Sequence, residues 1–243
     1  MTLLYCVSVL FFGGLIKGVL GLGLPLVGVP LIALAVGLKQ ALAILALPVM
    51  ASNLAQSFNR ELFRPIVRRF WPLLVATLLF ATLSTIAFGA IPEETLFLAI
   101  GSVLIVLPTV AYFQPSVRIT SRQESWIGPL VGVAAGVFGG VSSMPGPPLM
   151  IYLACLRLPK NEFVVAVSLM FLTATIGLAI GLAIFGGIPL TNFGLSAVAC
   201  IPVFVGMWLG VKARLQLSER TFAVLVLCTY ILTGLSFVVK GIW

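Results

Sequence analysis

Apolar residues fall in long unbroken runs along this chain. Trp71 to Ile91 and Thr95 to Phe113 are two of them, each near the ~20 residues that cross a bilayer as a helix. The period-two alternation of a membrane β-barrel is absent. Polar residues gather in the short stretches between runs, and none of these exceeds about 15 residues, so no soluble domain is expected. The pattern predicts an all-α polytopic membrane protein. Met1 reads as the mature start, because the first apolar run lacks the basic leader and cleavage pattern of a signal peptide.

Two runs are interrupted. "GGLIKGVLGLGLP", Gly13 to Pro25, carries Lys17 together with helix-weakening glycines and a proline. Trp126 to Leu156 is broken at "GGVSSMPGPP". As one helix it would reach about 46 Å, more than the ~30 Å hydrocarbon core, so a break is required.

The interruptions belong to a repeat. "GGLIKGVLGLGLPLVGVPLIALAVGLK" at 13–39 aligns without gaps with "VGVAAGVFGGVSSMPGPPLMIYLACLR" at 131–157. Gly14, Gly18, Gly21, Pro30 and Lys39 fall on Gly132, Gly136, Gly139, Pro148 and Arg157. "KQALAILALPVMASN" then parallels "KNEFVVAVSLMFLTA", and "PEETLFLAIGSVLIVL" parallels "SERTFAVLVLCTYILT". Such internal symmetry is characteristic of secondary transporters. The expected organisation is a first transmembrane repeat over 1–113, a cytoplasmic linker over 114–125 and a second repeat over 126–243.

Loop charge orients the repeats. Arg60, Arg64, Arg68 and Arg69, then Arg118 and Arg122, then Lys212, Arg214 and Arg220 mark cytoplasmic loops, whereas the turns 89–95 and 186–192 carry no Lys or Arg and read as external. Trp126 to Leu156 then enters and leaves on the cytoplasmic face as a broken hairpin. The same logic makes 1–39 a hairpin opening outside. Each half becomes a broken hairpin plus three spanning helices, and the halves are inverted. The alternative is eight spans in parallel repeats, which would place Lys212, Arg214 and Arg220 outside.

Composition sharpens this picture. The chain has 243 residues, 61% hydrophobic and 8% charged, against about 25% charged in soluble domains. Its net charge of +8 is scattered over short loops, as positive-inside topology requires, and forms no nucleic-acid patch. There is no histidine and no aspartate, and Cys6, Cys155, Cys200 and Cys228 lack metal or redox spacing. Catalysis has no support, since a nucleophile needs an adjacent base. No cofactor or metal is expected.

The candidate chemistry lies at the breaks. Irregular backbone at membrane depth must face protein or water, and a helix start offers free N–H groups and partial positive charge to an anion. Two such starts, at Gly21 to Pro25 and Gly139 to Pro148, are expected to face one site near the midplane. Lys17 precedes the first break by one helical turn. All six glutamates lie in loops or at helix ends, so Lys17 lacks an intramembrane acidic partner and suits an anionic ligand. Snorkelling or bonding to broken-helix carbonyls are the competing uses of that lysine. The aligned residue is Ala135. Ser52, Asn53, Ser142 and Ser143 offer further donors, while Gln56, Thr173 and Thr175 read as helix packing. The candidate anion-binding set is Lys17, Gly21, Gly23, Pro25, Ser52, Asn53, Gly139, Gly140, Ser142, Ser143 and Gly146.

Taken together, "GLIKGVLGLGLPLVGVPLIA", "KQALAILALPVMASN" and "GVAAGVFGGVSSMPGPPLMIYL" resemble the sulfite exporter TauE/SafE family of bacterial membrane transporters, over essentially the whole chain. The resemblance implies a multi-pass protein of the bacterial plasma (inner) membrane. It also implies secondary transport, mostly export, of sulfite, organosulfonates such as sulfoacetate, or other small organic anions such as carboxylates. The expected partners are that small anion and the lipid bilayer, with a homo-oligomer left open and no nucleic acid. An anion channel, or a membrane scaffold or assembly factor without transport, are the alternative functions. The chain lacks the cysteine motif of a different, thiosulfate-uptake family, so Cys155 receives no role.

Overall fold

The computed structural model describes residues 2–22, 24–87, 95, 98, 101–103, 105, 106, 109, 119–142, 145–184 and 193–242. Among the described residues there are helices and connections, without strands. They are α1 (Thr2–Leu20), α2 (Leu24–Val36), α3 (Leu38–Ser57), α4 (Phe63–Ala87), α5 (Ser121–Ser142), α6 (Gly146–Leu156), α7 (Lys160–Ile184), α8 (Phe193–Arg214) and α9 (Glu219–Ile242). The described residues between 95 and 109 are also helical. Helices α1, α4, α5, α7, α8 and α9 are long and apolar enough to cross a membrane. Their outer surfaces carry Leu4, Phe12, Trp71, Leu83, Leu130, Ile201, Trp208 and Leu232, all exposed. Large exposed apolar area of this kind is a membrane-facing surface.

The chain breaks where the sequence reading puts it, but more narrowly. Helix α1 closes when the Gly21 amide donates to the Lys17 carbonyl at 2.8 Å. Gly21 has φ +78°, the left-handed cap that glycine adopts without Cβ strain. Pro25 then lies in the first turn of α2, and Pro147 and Pro148 in the first turn of α6, where a missing N–H costs no intrahelical bond. Gly139 and Gly140, expected to open the second break, instead remain inside α5, which runs on to Ser142. They serve close packing: a Cβ on Gly139 would meet Ala174 at 2.9 Å, and Gly140 sits on the backbone of Ala81.

The hairpin arms are unequal. Helices α1 and α5 have 19 and 22 residues, whereas the returning arms α2 and α6 have 13 and 11. A first arm of full crossing length carries the break past the half-way point expected from an even hairpin. The turns 89–95 and 186–192 fall mainly outside the described residues, as do residues 114–118 of the linker, whereas the expected linker residues 121–125 already form the start of α5.

The halves exchange partners. Helix α1 packs on α8, and α5 packs on α4, while α3 meets α7 between them. In both exchanges glycines remove the side chain at the crossing. A Cβ on Gly18 would come within 2.9 Å of Gly210 Cα, and one on Gly136 within 2.8 Å of the Thr77 carbonyl. Small residues let membrane helices approach backbone to backbone. Thr85 Oγ1 donates to the Gly140 carbonyl at 2.9 Å, and Ser84 Oγ to that of Gly136 at 3.4 Å.

The contacts also fix direction. Gly14 meets Val203 and Gly18 meets Met207, so α1 and α8 run parallel. Gly132 meets Leu73 and Gly136 meets Thr77, so α5 and α4 run parallel. Gly177 meets Leu78 and Gly181 meets Thr82, so α7 and α4 do too. The starts of α4, α5 and α7 therefore share one end of the molecule. Arg64, Arg68, Arg69, Arg122 and Lys160 lie in the first turns of those helices, so this is a basic end.

Candidate functional site

Lys17 points inward and is fully buried. Its ammonium donates to Asn53 Oδ1 at 2.6 Å and to the Gly21 carbonyl at 3.3 Å. Both acceptors are neutral, and among the described residues no carboxylate pairs with it. Burying a cation without an opposite charge is unfavourable by a few kcal/mol or more, so the surroundings are built from aligned dipoles. The acceptor at the break exists because the chain turns at Gly21.

Asn53 comes from the facing helix α3 and is also fully buried. An ammonium has donors only, so it fixes the amide with Oδ1 toward Lys17. The Asn53 Nδ2 group is thereby turned away, buried and without a hydrogen-bond partner. Such an unmet donor is unusual in a folded protein and calls for an explanation. Gln56, one turn on, donates from Nε2 to the Lys17 carbonyl at 3.0 Å. Its Oε1 accepts from Ser168 Oγ of α7 at 3.0 Å. Helices α3 and α7 thus converge on the end of α1 through one polar cluster.

The aligned positions in the second half of the chain lack this polarity. The positions aligned with Lys17 and Asn53 are Ala135 and Ala174, both buried. Gly139, the counterpart of Gly21, packs directly on Ala174. Two alanines thus stand at the positions aligned with the lysine and the asparagine.

The other sequence-derived candidates divide. Gly21 and Pro25 frame the break next to Lys17. Ser52 is buried, but its hydroxyl bonds back to the Val49 carbonyl of its own helix at 3.2 Å, and it does not join the cluster. Gly139 and Gly140 line helix contacts, and Gly146 is the buried first residue of α6. Ser142 ends α5, while Gly23 and Ser143 lie outside the described residues. Helix α7 passes both breaks, touching Gly21 at Val164 and Gly139 at Ala174. The two breaks are thus separated by about 15 Å of axial rise along α7. Val164 and Ser168 belong to the first turns of α7, so Lys17 lies nearer the basic end than the midpoint expected for it.

Sequence reading assigned Gln56 to packing and passed over Ser168. Gln56 lies one turn from Asn53, which was a usable signal. Ser168 sits alone in "VAVSLMF", and nothing local distinguishes it. Among the described residues, no group of three His, Cys, Asp or Glu side chains comes together to hold a metal.

A family model for the sulfite exporter TauE/SafE matches residues 6–237, nearly the whole chain. The chain belongs to the sulfite exporter TauE/SafE family. The match takes in both breaks, Lys17 and all of the helices but the first residues of α1 and the last of α9. No curated protein and no solved structure gives a significant match. Membership of TauE/SafE together with six crossing-length helices among the described residues makes this a multi-pass membrane protein of an anion-exporter family.

Proposed function

We propose that this TauE/SafE protein is a secondary transporter that exports sulfite or small organosulfonates, such as sulfoacetate, across the bacterial inner membrane. The carrying observation is the Lys17–Asn53 pair: a buried cation on neutral acceptors beside an unmet amide donor. An anion entering there gains the ammonium charge and the Nδ2 hydrogen bond together. Replacement of both residues by alanine in the second repeat supports a ligand role over a scaffold role.

The repeats are read as inverted. Helix α8 follows α7 by a connection of about eight residues, which reaches at most ~28 Å, too little to re-cross beside a 25-residue helix. Helix α8 therefore opposes α7, and α1, parallel to α8, opposes its own repeat counterpart α5. The basic end is assigned to the cytoplasm, which puts Lys17 on the side from which an exported anion is collected. Rocking of one repeat against the other would expose the site alternately.

The test is uptake of labelled sulfite into proteoliposomes, wild type beside Lys17→Met, with sulfoacetate and sulfate as competitors. Saturable flux that falls at least tenfold in a folded Lys17→Met protein is the expected result. Equal flux in the two proteins refutes the role of Lys17. Non-saturating flux of large conductance would indicate a channel instead.

A further inference from the structure

A second polar feature lies away from Lys17, between α4, α5 and α6 at the basic end. A cavity of about 480 Å³ is lined there by Arg69, Glu124, Ser125, Gly128 and Tyr152 among others, a size suited to small ligands. Arg69 and Glu124 meet across it in a two-pronged ion pair. Nε donates to Oε1 at 2.6 Å and Nη2 to Oε2 at 2.9 Å. The Arg69 side chain remains 41% exposed and that of Glu124 13%, so the arginine side of the pair stands at the mouth. Tyr152 is 2% exposed, its ring held edge-on against Phe70, and its hydroxyl has no hydrogen-bond partner. Gly128 keeps the space beside that hydroxyl open: a Cβ there would stand 3.2 Å from it.

We propose that this cavity is a second oxyanion site, in which a sulfonate or carboxylate displaces the Glu124 carboxylate from Arg69 and accepts a hydrogen bond from Tyr152. The guanidinium fork fits any group presenting two oxygens at carboxylate spacing, and Glu124 is the internal anion that occupies it at rest. The hydroxyl of Tyr152, rigid and unmet, supplies the donor that Glu124 leaves unused. Because the resting site holds its own counter-ion, ligand affinity depends on Glu124 with the opposite sign to its dependence on Arg69. This assignment does not depend on Lys17.

The experiment is calorimetric titration of methanesulfonate into purified full-length protein in neutral-lipid nanodiscs, in a Lys17→Met background that silences the other site. Glu124→Gln is expected to tighten binding at least tenfold. Adding Arg69→Gln to it should abolish binding, and adding Tyr152→Phe should weaken it severalfold. Thermal unfolding of each variant identifies any that fail to fold, and Arg69→Lys serves as the replacement where Arg69→Gln does. An ion pair that only joins α4 to α5 gives no increase in affinity with Glu124→Gln, and that result overturns the proposal. So does unchanged binding with folded Arg69 and Tyr152 variants. Repeating the titration with phosphatidylglycerol in the nanodiscs separates the sources. Unchanged affinity assigns the site to a free anion, whereas competition assigns it to a lipid phosphate, and either sustains an oxyanion site.

Discussion

Lys17 ends on an amide rather than a carboxylate, and this choice of partner governs what the site can do. A carboxylate would neutralise the ammonium permanently, whereas an amide oxygen orients it and leaves its charge available. Asn53→Asp is therefore expected to keep the fold and lower anion affinity at least tenfold, read as a rise in the half-saturating sulfite concentration in proteoliposomes. Unchanged affinity would mean that the charge does not face the ligand. Lys17 was legible in the sequence because a lone cation in an apolar run is conspicuous. Asn53 was legible as one polar residue among several on "ASNLAQSFN". The Lys17–Asn53 bond was not, because residues 36 positions apart meet only once α1 and α3 have packed. Ser52 shows the same limit from the other side. Beside Asn53 in the chain, it turns by about 100° around the helix and bonds to its own backbone.

At the level of helices, glycine placement carries the architecture. Gly136 faces the backbone of α4, so Gly136→Ala forces the helices apart and should lower stability by about 1–3 kcal/mol, the usual range for overpacking. Gly194 is the control, because a Cβ there would meet nothing within 4 Å, and Gly194→Ala should stay within roughly 0.5 kcal/mol. Thermal unfolding in detergent compares them, and equal shifts would remove the close-packing account. The sequence revealed long helices and both breaks, since these follow from local rules. It misjudged Gly139 and Gly140 because glycine signals a turn and a close contact with the same letter. Only the surface opposite decides, and there Gly139 faces Ala174 while Gly140 faces Ala81.

For the whole molecule, the proposed inversion of the repeats makes a direct prediction about sidedness. Single cysteines placed at Arg60 and Arg220 in a cysteine-free background should react with impermeant maleimide only from the cytoplasm. One placed at the exposed Gln40 should react only from outside. Labelling of all three from one face would exclude the assignment, and external labelling at Arg220 would favour eight spans in parallel repeats. The sequence suggested inversion through loop charge alone, and it weighed against Lys39, which falls on the less basic side. The glycine contacts, which are independent of charge, fix α1 parallel to α8 and α4 parallel to α5 and α7, and the labelling tests whether those two groups oppose each other.

The exchange of partners between halves also bears on how the protein is made. Helix α1 leaves the ribosome well before its close-packed neighbour α8. Throughout that interval α1 carries an ammonium whose acceptor on α3 arrives early but whose tight helical neighbour does not. Membrane insertion and final assembly are therefore separate events for this chain. Until α8 emerges, the insertion machinery or surrounding lipid must cover the glycine face of α1, so synthesis halted after the first repeat leaves an incomplete product with a bare seam.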